Sequence, residues 1–175
     1  INLSLGTNVY DAPLRAAIGR ARAANVLVVA ASGNCALNDQ LICNALAAPG
    51  RMTWPALYPE VLAVGATTST GQRASFSSYG NELDIVAPGQ SVGPLPVFMS
   101  TGALNFYATA SGTSFSSPLV AGLASLIISE KPDITIADLE FTITESAEKL
   151  SAMSGANFTS TLGVGLANIH RATLL

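Results

Sequence analysis

Gly112-Thr113-Ser114-Phe115-Ser116-Ser117-Pro118 runs directly into the apolar segment 119–128, and the reading of this stretch decides the fold. Gly112 lets the chain turn sharply. Ser114 then stands at the mouth of a helix, where unpaired backbone N–H groups and the positive end of the dipole favour a developing anion. Pro118 is read as tolerated because first-turn N–H groups lack intrahelical partners. Beyond it, Ala121, Gly122, Ala124 and Ser125 interleave with Leu119, Val120, Leu123, Leu126, Ile127 and Ile128, so the helix lacks a polar face and is expected to be buried. A serine heading such a helix is a candidate nucleophile; the plainer alternative is a helix N-cap.

Working outward, apolar runs at 1–5, 25–31, 61–66 and 83–87 read as strands, and 11–24, 113–130 and 135–149 as helices. The run Asn25-Val26-Leu27-Val28-Val29-Ala30-Ala31 is continuous and rich in β-branched residues, as in a strand covered on both faces of a parallel sheet. Helix and strand alternate, which predicts an α/β fold with a largely parallel sheet and flanking helices. A long loop is expected over 35–60, a polar turn around Ser69, Thr70 and Gly71, and an irregular segment with room for a hairpin over 88–105.

The 175 residues suffice for one core. Apolar residues make up 49% and charged residues only 11%, with a mean hydropathy of +0.44. This balance predicts a face meant to be covered by further sequence. No apolar run reaches the ~18 residues of a membrane span. A net charge of −3 with scattered Lys and Arg argues against nucleic acid and anionic membranes as partners. Cys35 and Cys43, the only cysteines, follow Asn34 closely and lack histidine partners for a metal. They predict a disulfide, and with it a secreted or periplasmic location.

Three further stretches accompany the serine motif: Ile1-Asn2-Leu3-Ser4-Leu5-Gly6, Ala30-Ala31-Ser32-Gly33-Asn34 and Arg73-Ala74-Ser75-Phe76-Ser77-Ser78. Asp84-Ile85-Val86-Ala87-Pro88-Gly89 and Gly163-Val164-Gly165-Leu166-Ala167-Asn168 continue the series. In order and spacing the chain resembles the subtilisin-like serine proteases, over nearly its whole length. The resemblance implies a subtilisin-like fold and a serine endopeptidase working through an acyl-enzyme on Ser114. It also implies that residues 1–175 are the C-terminal portion of one catalytic domain. The family's triad aspartate and histidine lie upstream of the strand that Ile1 opens, and no corresponding segment occurs here. Ile1 begins inside an apolar strand without initiator methionine or signal peptide, which fits the reading of a fragment, expected to be inactive alone. His170 reads as a surface or packing residue, and Leu119 replaces the family's usual histidine after the motif proline.

The same resemblance assigns roles. The oxyanion would be held by the Ser114 backbone N–H and the Asn34 side-chain amide; sedolisins, by contrast, place an aspartate there. Read alone, Asn34 is a turn asparagine. Substrate would add as a strand along Leu3, Ser4, Leu5 and Gly6. Ala31, Ser32 and Gly33 would form the other wall of an apolar specificity pocket, with Thr53 near its floor. The Tyr58-Pro59 turn resembles a loop whose carbonyls hold a structural Ca2+, while no catalytic cofactor is implied. Expected partners are a peptide or protein substrate, the absent N-terminal half and an inhibitory propeptide. Asn157-Phe158-Thr159 matches a glycosylation sequon. An α/β hydrolase would need Gly-x-Ser-x-Gly, and a nucleotide-binding module a glycine-rich phosphate loop; neither occurs. A non-catalytic, pseudoprotease-like binding domain is the remaining alternative, against which the pairing of Ser114 with Asn34 argues.

Overall fold

In the computed structural model, which describes residues 1–37, 43, 50–98 and 104–174, four short strands hydrogen-bond into a parallel sheet. They are β1 (Asn2–Leu3), β2 (Val29–Ala31), β3 (Leu62–Thr67) and β4 (Ile85–Pro88), adjacent in that order. The register pairs Leu3 with Ala30, Ala30 with Ala63 and Val64 with Ile85. All four overlap the expected strands; β1, β2 and β4 are shorter, while β3 keeps the expected six residues and is shifted by one position. At β2 the start is delayed because Asn25 adopts a positive φ of 58°. Its side-chain amide accepts from Ile136 N at 2.9 Å and donates to Ile134 O at 3.1 Å, fastening this turn to a distant helix.

Helix α1 (Ala12–Ala23) carries the chain from β1 to β2, and Asp11 caps it by accepting from Leu14 N at 2.8 Å. Successive strand residues face opposite sides, so the run 27–30 serves two cores. Leu27 and Val29 join Leu62, Val64 and Ile85 against Val120, Leu123 and Ile127 of α2 (Thr113–Glu130) and Leu139 and Ile143 of α3 (Ile136–Glu145). Val28 and Ala30 join Ala63 and Val86 against Ile18 of α1 and the buried Met52, Tyr58, Met153 and Leu162. A sheet covered on both faces explains the lack of apolar–polar alternation in its sequence.

The segment expected to be irregular forms a longer antiparallel hairpin than anticipated, β5 (Val92–Phe98) with β6 (Leu104–Ala110). Its connecting residues 99–103 lie outside the described residues, as do 38–42 and 44–49 of the expected loop over 35–60. The polar turn is present, with Thr68 Oγ1 accepting from Thr70 N and Gln72 N.

Two helix expectations need correction. The segment expected over 135–149 ends at Glu145, because the backbone of Glu148 bridges to Leu166 in both directions, at 2.8 and 2.9 Å. And α2 is not buried all round. Its inner side packs on the sheet, while Leu119 and Leu126 are each 47% exposed and Ile128 41%. The sheet meets only one side of the helix; nothing described covers the other. A groove of about 420 Å³ runs between this face and β1, walled by Ile1, Val26, Val29, Ala121, Ser125 and Ile128. No helix of the described residues is long and apolar enough to cross a membrane.

At the far edge the chain closes on itself. Val164 N donates to Asp84 O, Val86 N to Gly165 O and Ala167 N to Val86 O, so residues 164–167 run along β4. The short helix α3 leads towards this cap, and α4 (Ile169–Ala172) follows it, with Asn168 as N-cap. Cys35 and Cys43 form a disulfide, as expected. By the chain-entropy account a bridge of this span contributes ~2–3 kcal/mol.

Candidate active site

The C-terminal ends of β1 and β2 and the N-terminus of α2 converge on one small cavity of about 90 Å³. Its walls come from Leu5 and Gly6 after β1, from Ala31, Gly33, Asn34 and Cys35 at and after β2, and from Thr113 and Ser114 at the start of α2; Thr53 closes it. Of the expected substrate-binding residues, Leu5, Gly6, Ala31 and Gly33 line the cavity. Leu3, Ser4 and Ser32 do not. Leu3 packs into the second core, and the fully buried Ser32 turns its hydroxyl to Ser78 O at 3.2 Å.

Helix α2 begins at Thr113, with Gly112 as its N-cap and no capping side chain. Ser114 therefore sits in the first turn, which disposes of the N-cap explanation for it. Pro118 lies beyond that turn. It lacks the N–H that would have bonded Ser114 O, and this carbonyl instead accepts from Ser4 Oγ at 2.8 Å. In return the half-buried Ser114 donates its own hydroxyl to Ser4 O at 3.3 Å. The neighbouring serines are structural. Ser116 Oγ donates to Ala87 O at 3.0 Å, and Ser117 Oγ to Asn2 Oδ1.

Asn34 is held by a residue that sequence reasoning passed over. The buried Thr113 donates to Asn34 Oδ1 twice, from its backbone N and from its Oγ1, both at 3.0 Å. Thr113 Oγ1 in turn accepts from Gly33 N at 3.2 Å. With its oxygen engaged, the Asn34 amide presents Nδ2 as its remaining donor, and no described residue accepts from it. Nor does any described residue accept from the Ser114 backbone N–H, which as a first-turn group has no partner within the helix. Among the described residues, then, two donors without acceptors belong to residues that line the same cavity as the Ser114 side chain. The only advance signal for Thr113 was a hydroxyl residue between Gly112 and Ser114 at the head of an apolar helix, where a buried hydroxyl requires a partner.

Gly33, at φ 109°, leaves no space for a side chain: a Cβ there would stand 2.9 Å from Thr53 Oγ1 and 3.0 Å from Ser78 Oγ. Cys35 N donates to Ser78 Oγ at 2.9 Å, so the strand end carrying Asn34 is braced on both sides. His170 stands exposed on α4 and is not among the residues lining the cavity. Among the described residues no histidine or carboxylate lines it either.

A second cavity, about 390 Å³, lies beside the Tyr58-Pro59 turn and is walled by Ala56, Val61, Glu82 and Asp84 as well. Asp84 accepts from Ala63 N at 2.7 Å, yet burial pushes its carboxyl up to about 6. Among the described residues no group of three or more His, Cys, Asp or Glu side chains is placed to hold a metal. Asn157 of the sequon is exposed, and its carbonyl accepts from Lys149 Nζ at 2.8 Å.

Comparison with known proteins gives a consistent picture. A family model described as the subtilase family matches residues 1–165. Subtilisin DY of Bacillus licheniformis is 37% identical over 172 residues, covering 98% of this chain and 56% of that protein. Alkaline elastase YaB of Bacillus sp. (strain YaB) is likewise 37% identical over 172 residues, covering 98% of this chain and 39% of its own. Among solved structures, a protease from Pseudoalteromonas arctica PAMC 21717 superposes with a TM-score of 0.77 at 28% identity, over 99% of this chain and 50% of that one. The chain therefore spans about half the length of the relatives it matches.

Proposed function

The chain belongs to the subtilase family, and from that premise we propose that its protein is a serine endopeptidase with Ser114 as nucleophile. One observation carries the reading: Ser114 and Asn34 line the same cavity, and among the described residues neither the Ser114 N–H nor Asn34 Nδ2 has an acceptor. In peptide hydrolysis the scissile carbonyl becomes an oxyanion, and fixed donors aimed at that charge lower the barrier without reorganising. Ser114 Oγ attacks the carbonyl carbon, the leaving amine departs with a proton, and water then releases the acyl group from Ser114. Thr113 acts through Asn34, keeping the amide turned so that nitrogen rather than oxygen faces the oxyanion.

A hydroxyl needs a base to become a nucleophile. Residues 1–175 are proposed to be the C-terminal portion of one catalytic domain whose upstream half supplies histidine and aspartate. The incoming histidine replaces Ser4 O as the acceptor for the Ser114 proton. Substrate lies as an added strand along Leu3, Ser4, Leu5 and Gly6, with the chain at Ala31, Ser32 and Gly33 opposite. An inhibitory propeptide would occupy the same strand position. The disulfide supports a secreted or periplasmic setting.

The donor set at the second cavity fits a structural Ca2+. Glu82, Asp84 and carbonyls of the Tyr58-Pro59 turn are hard oxygen ligands, and a cation there would offset a carboxylate that burial otherwise leaves uncompensated. Its contribution would be to stability rather than to any reaction step.

Treating the full-length protein with a fluorophosphonate and mapping the adduct tests the assignment. The label is expected on Ser114; an active preparation labelled elsewhere, or not at all, refutes it.

A further inference from the structure

We infer that the primary specificity pocket accepts only small side chains, those of alanine, serine or valine, and that Thr53 sets this limit. The inference rests on the endopeptidase reading, which makes the cavity beside Ser114 the place for the side chain that precedes the scissile bond.

The two walls of that cavity are glycine-lined, and glycine walls ordinarily leave width for a large side chain. Here Thr53 stands between them. A Cβ on Gly6 would come within 2.4 Å of Thr53 Oγ1, and one on Gly33 within 2.9 Å of Oγ1 and 3.0 Å of Cγ2. The threonine thus touches both walls at once and fills the space that the two missing side chains leave. It is also held there. Thr53 is buried, its N–H donates to Ser32 O at 2.9 Å, and its Oγ1 donates to the same oxygen at 3.3 Å. Swinging it aside would break that bond, and the hydroxyl would then lack a partner in a closed setting.

What remains is about 90 Å³. A cavity of ~150 Å³ accommodates benzene, whereas one water occupies ~30 Å³ of liquid, so the space suits a few heavy atoms and not a phenyl ring. Among the described residues no carboxylate lines the pocket to pair with a lysine or arginine, and Leu5, Ala31 and Thr53 contribute apolar groups to its wall. The substrate class is therefore peptide with a small, uncharged residue immediately before the cut.

The test uses the full-length protein and tetrapeptide p-nitroanilides that differ only in that residue: Ala, Val, Leu or Phe. A pocket misfit of one methylene changes kcat/KM by about 10–200-fold, so Ala is expected to exceed Phe by at least that range. Thr53→Gly should raise Phe relative to Ala by a similar factor. Thr53→Val, which keeps the bulk and drops the hydroxyl, should retain the preference for small residues. A general loss of packing would lower all four substrates together and leave their ratios unmoved. Hydrolysis that depends on Ser114 but favours Phe or Leu in the unaltered protein overturns the specificity inference alone, as do ratios that Thr53→Gly leaves unchanged. Absence of Ser114-dependent hydrolysis with every peptide overturns the endopeptidase reading, and the pocket assignment with it.

Discussion

The two edges of the parallel sheet are built in opposite ways. At β4 the chain returns on itself: residues 164–167 run along the strand, and Gly163 and Gly165 admit backbone so closely that a Cβ on either would stand 2.3 Å from a carbonyl oxygen. At β1 nothing described returns. The strand is two residues long, and the groove beside it is walled mainly by apolar residues, among them Ile1, Val26, Leu27 and Val29 and, from α2, Ala121 and Ile128. Gly122, in the middle of that face, would place a Cβ with nothing within 4 Å. One edge is finished by local sequence, then, while the other has the composition of an interior surface and the exposure of an exterior one. Ser114 and Asn34 lie towards the open side, where β1 ends.

The largest effect that can break this comparison is catalytic. The 175-residue chain alone is expected to fall below the full-length protein by about 10⁶-fold in turnover, the scale on which loss of a nucleophile's partners is felt in a triad. Adding a separately expressed upstream half should restore hydrolysis, and Ser114→Ala should abolish it again. Robust hydrolysis by the chain alone, removed by His170→Ala, would place the base on this side of the molecule and contradict the arrangement proposed here.

Next in size is the donor pair. Asn34→Ala in the full-length protein should lower kcat by about 10²–10³, a range carried over from subtilisin, for which it was measured, while KM changes little. Steady-state kinetics on one peptide decide it; unchanged kcat would reduce Asn34 to a turn residue. Thr113→Val keeps the backbone bond to Asn34 Oδ1 and loses the hydroxyl bond, so its loss in kcat should be smaller than that of Asn34→Ala.

How much of this was legible beforehand depended on whether the signal was local. The β-branched run at 25–31 and the small-residue pattern after Pro118 placed β2 and α2, because each segment's composition answers to its own neighbours. The motifs singled out Ser114 and Asn34, 80 positions apart, and the structure brings both to one cavity. Thr113 was not: its significance lies in bonds to residues 79 and 80 positions away, which no window of sequence contains. The long reading of α3 failed for the same reason, since Leu166, a distant residue, captures Glu148. And α2 was read as buried throughout because apolarity reports what a face is suited to, not whether its cover lies within the same chain.

The closed edge offers a stability test of that distinction. Gly165→Ala should destabilise the chain by about 3 kcal/mol, since φ 131° strains any L side chain and the new methyl meets Glu148 O. Urea unfolding measures it. A loss under ~1 kcal/mol would mean that residues 164–167 can part from β4 at little cost, and the edge would not be closed in the sense argued.

The smallest effect is the most discriminating, because its sign is expected to change with context. In the isolated chain Gly122→Ala should stabilise by ~0.5–1 kcal/mol: alanine is the better helix former, and its methyl enters open space. In the full-length protein the same substitution should be destabilising, by ~1–3 kcal/mol, if the upstream half packs an element against α2 at the point where glycine permits close approach. Measuring both proteins by the same unfolding experiment separates two explanations of the exposed face. A stabilising effect in both would show that the face around Leu119, Gly122 and Leu126 stays open in the assembled domain, and the apolar groove at β1 would need another occupant. A reversal of sign would identify α2's outer face as buried in the complete domain, with the helix that bears Ser114 clamped between the sheet on one side and the upstream half on the other.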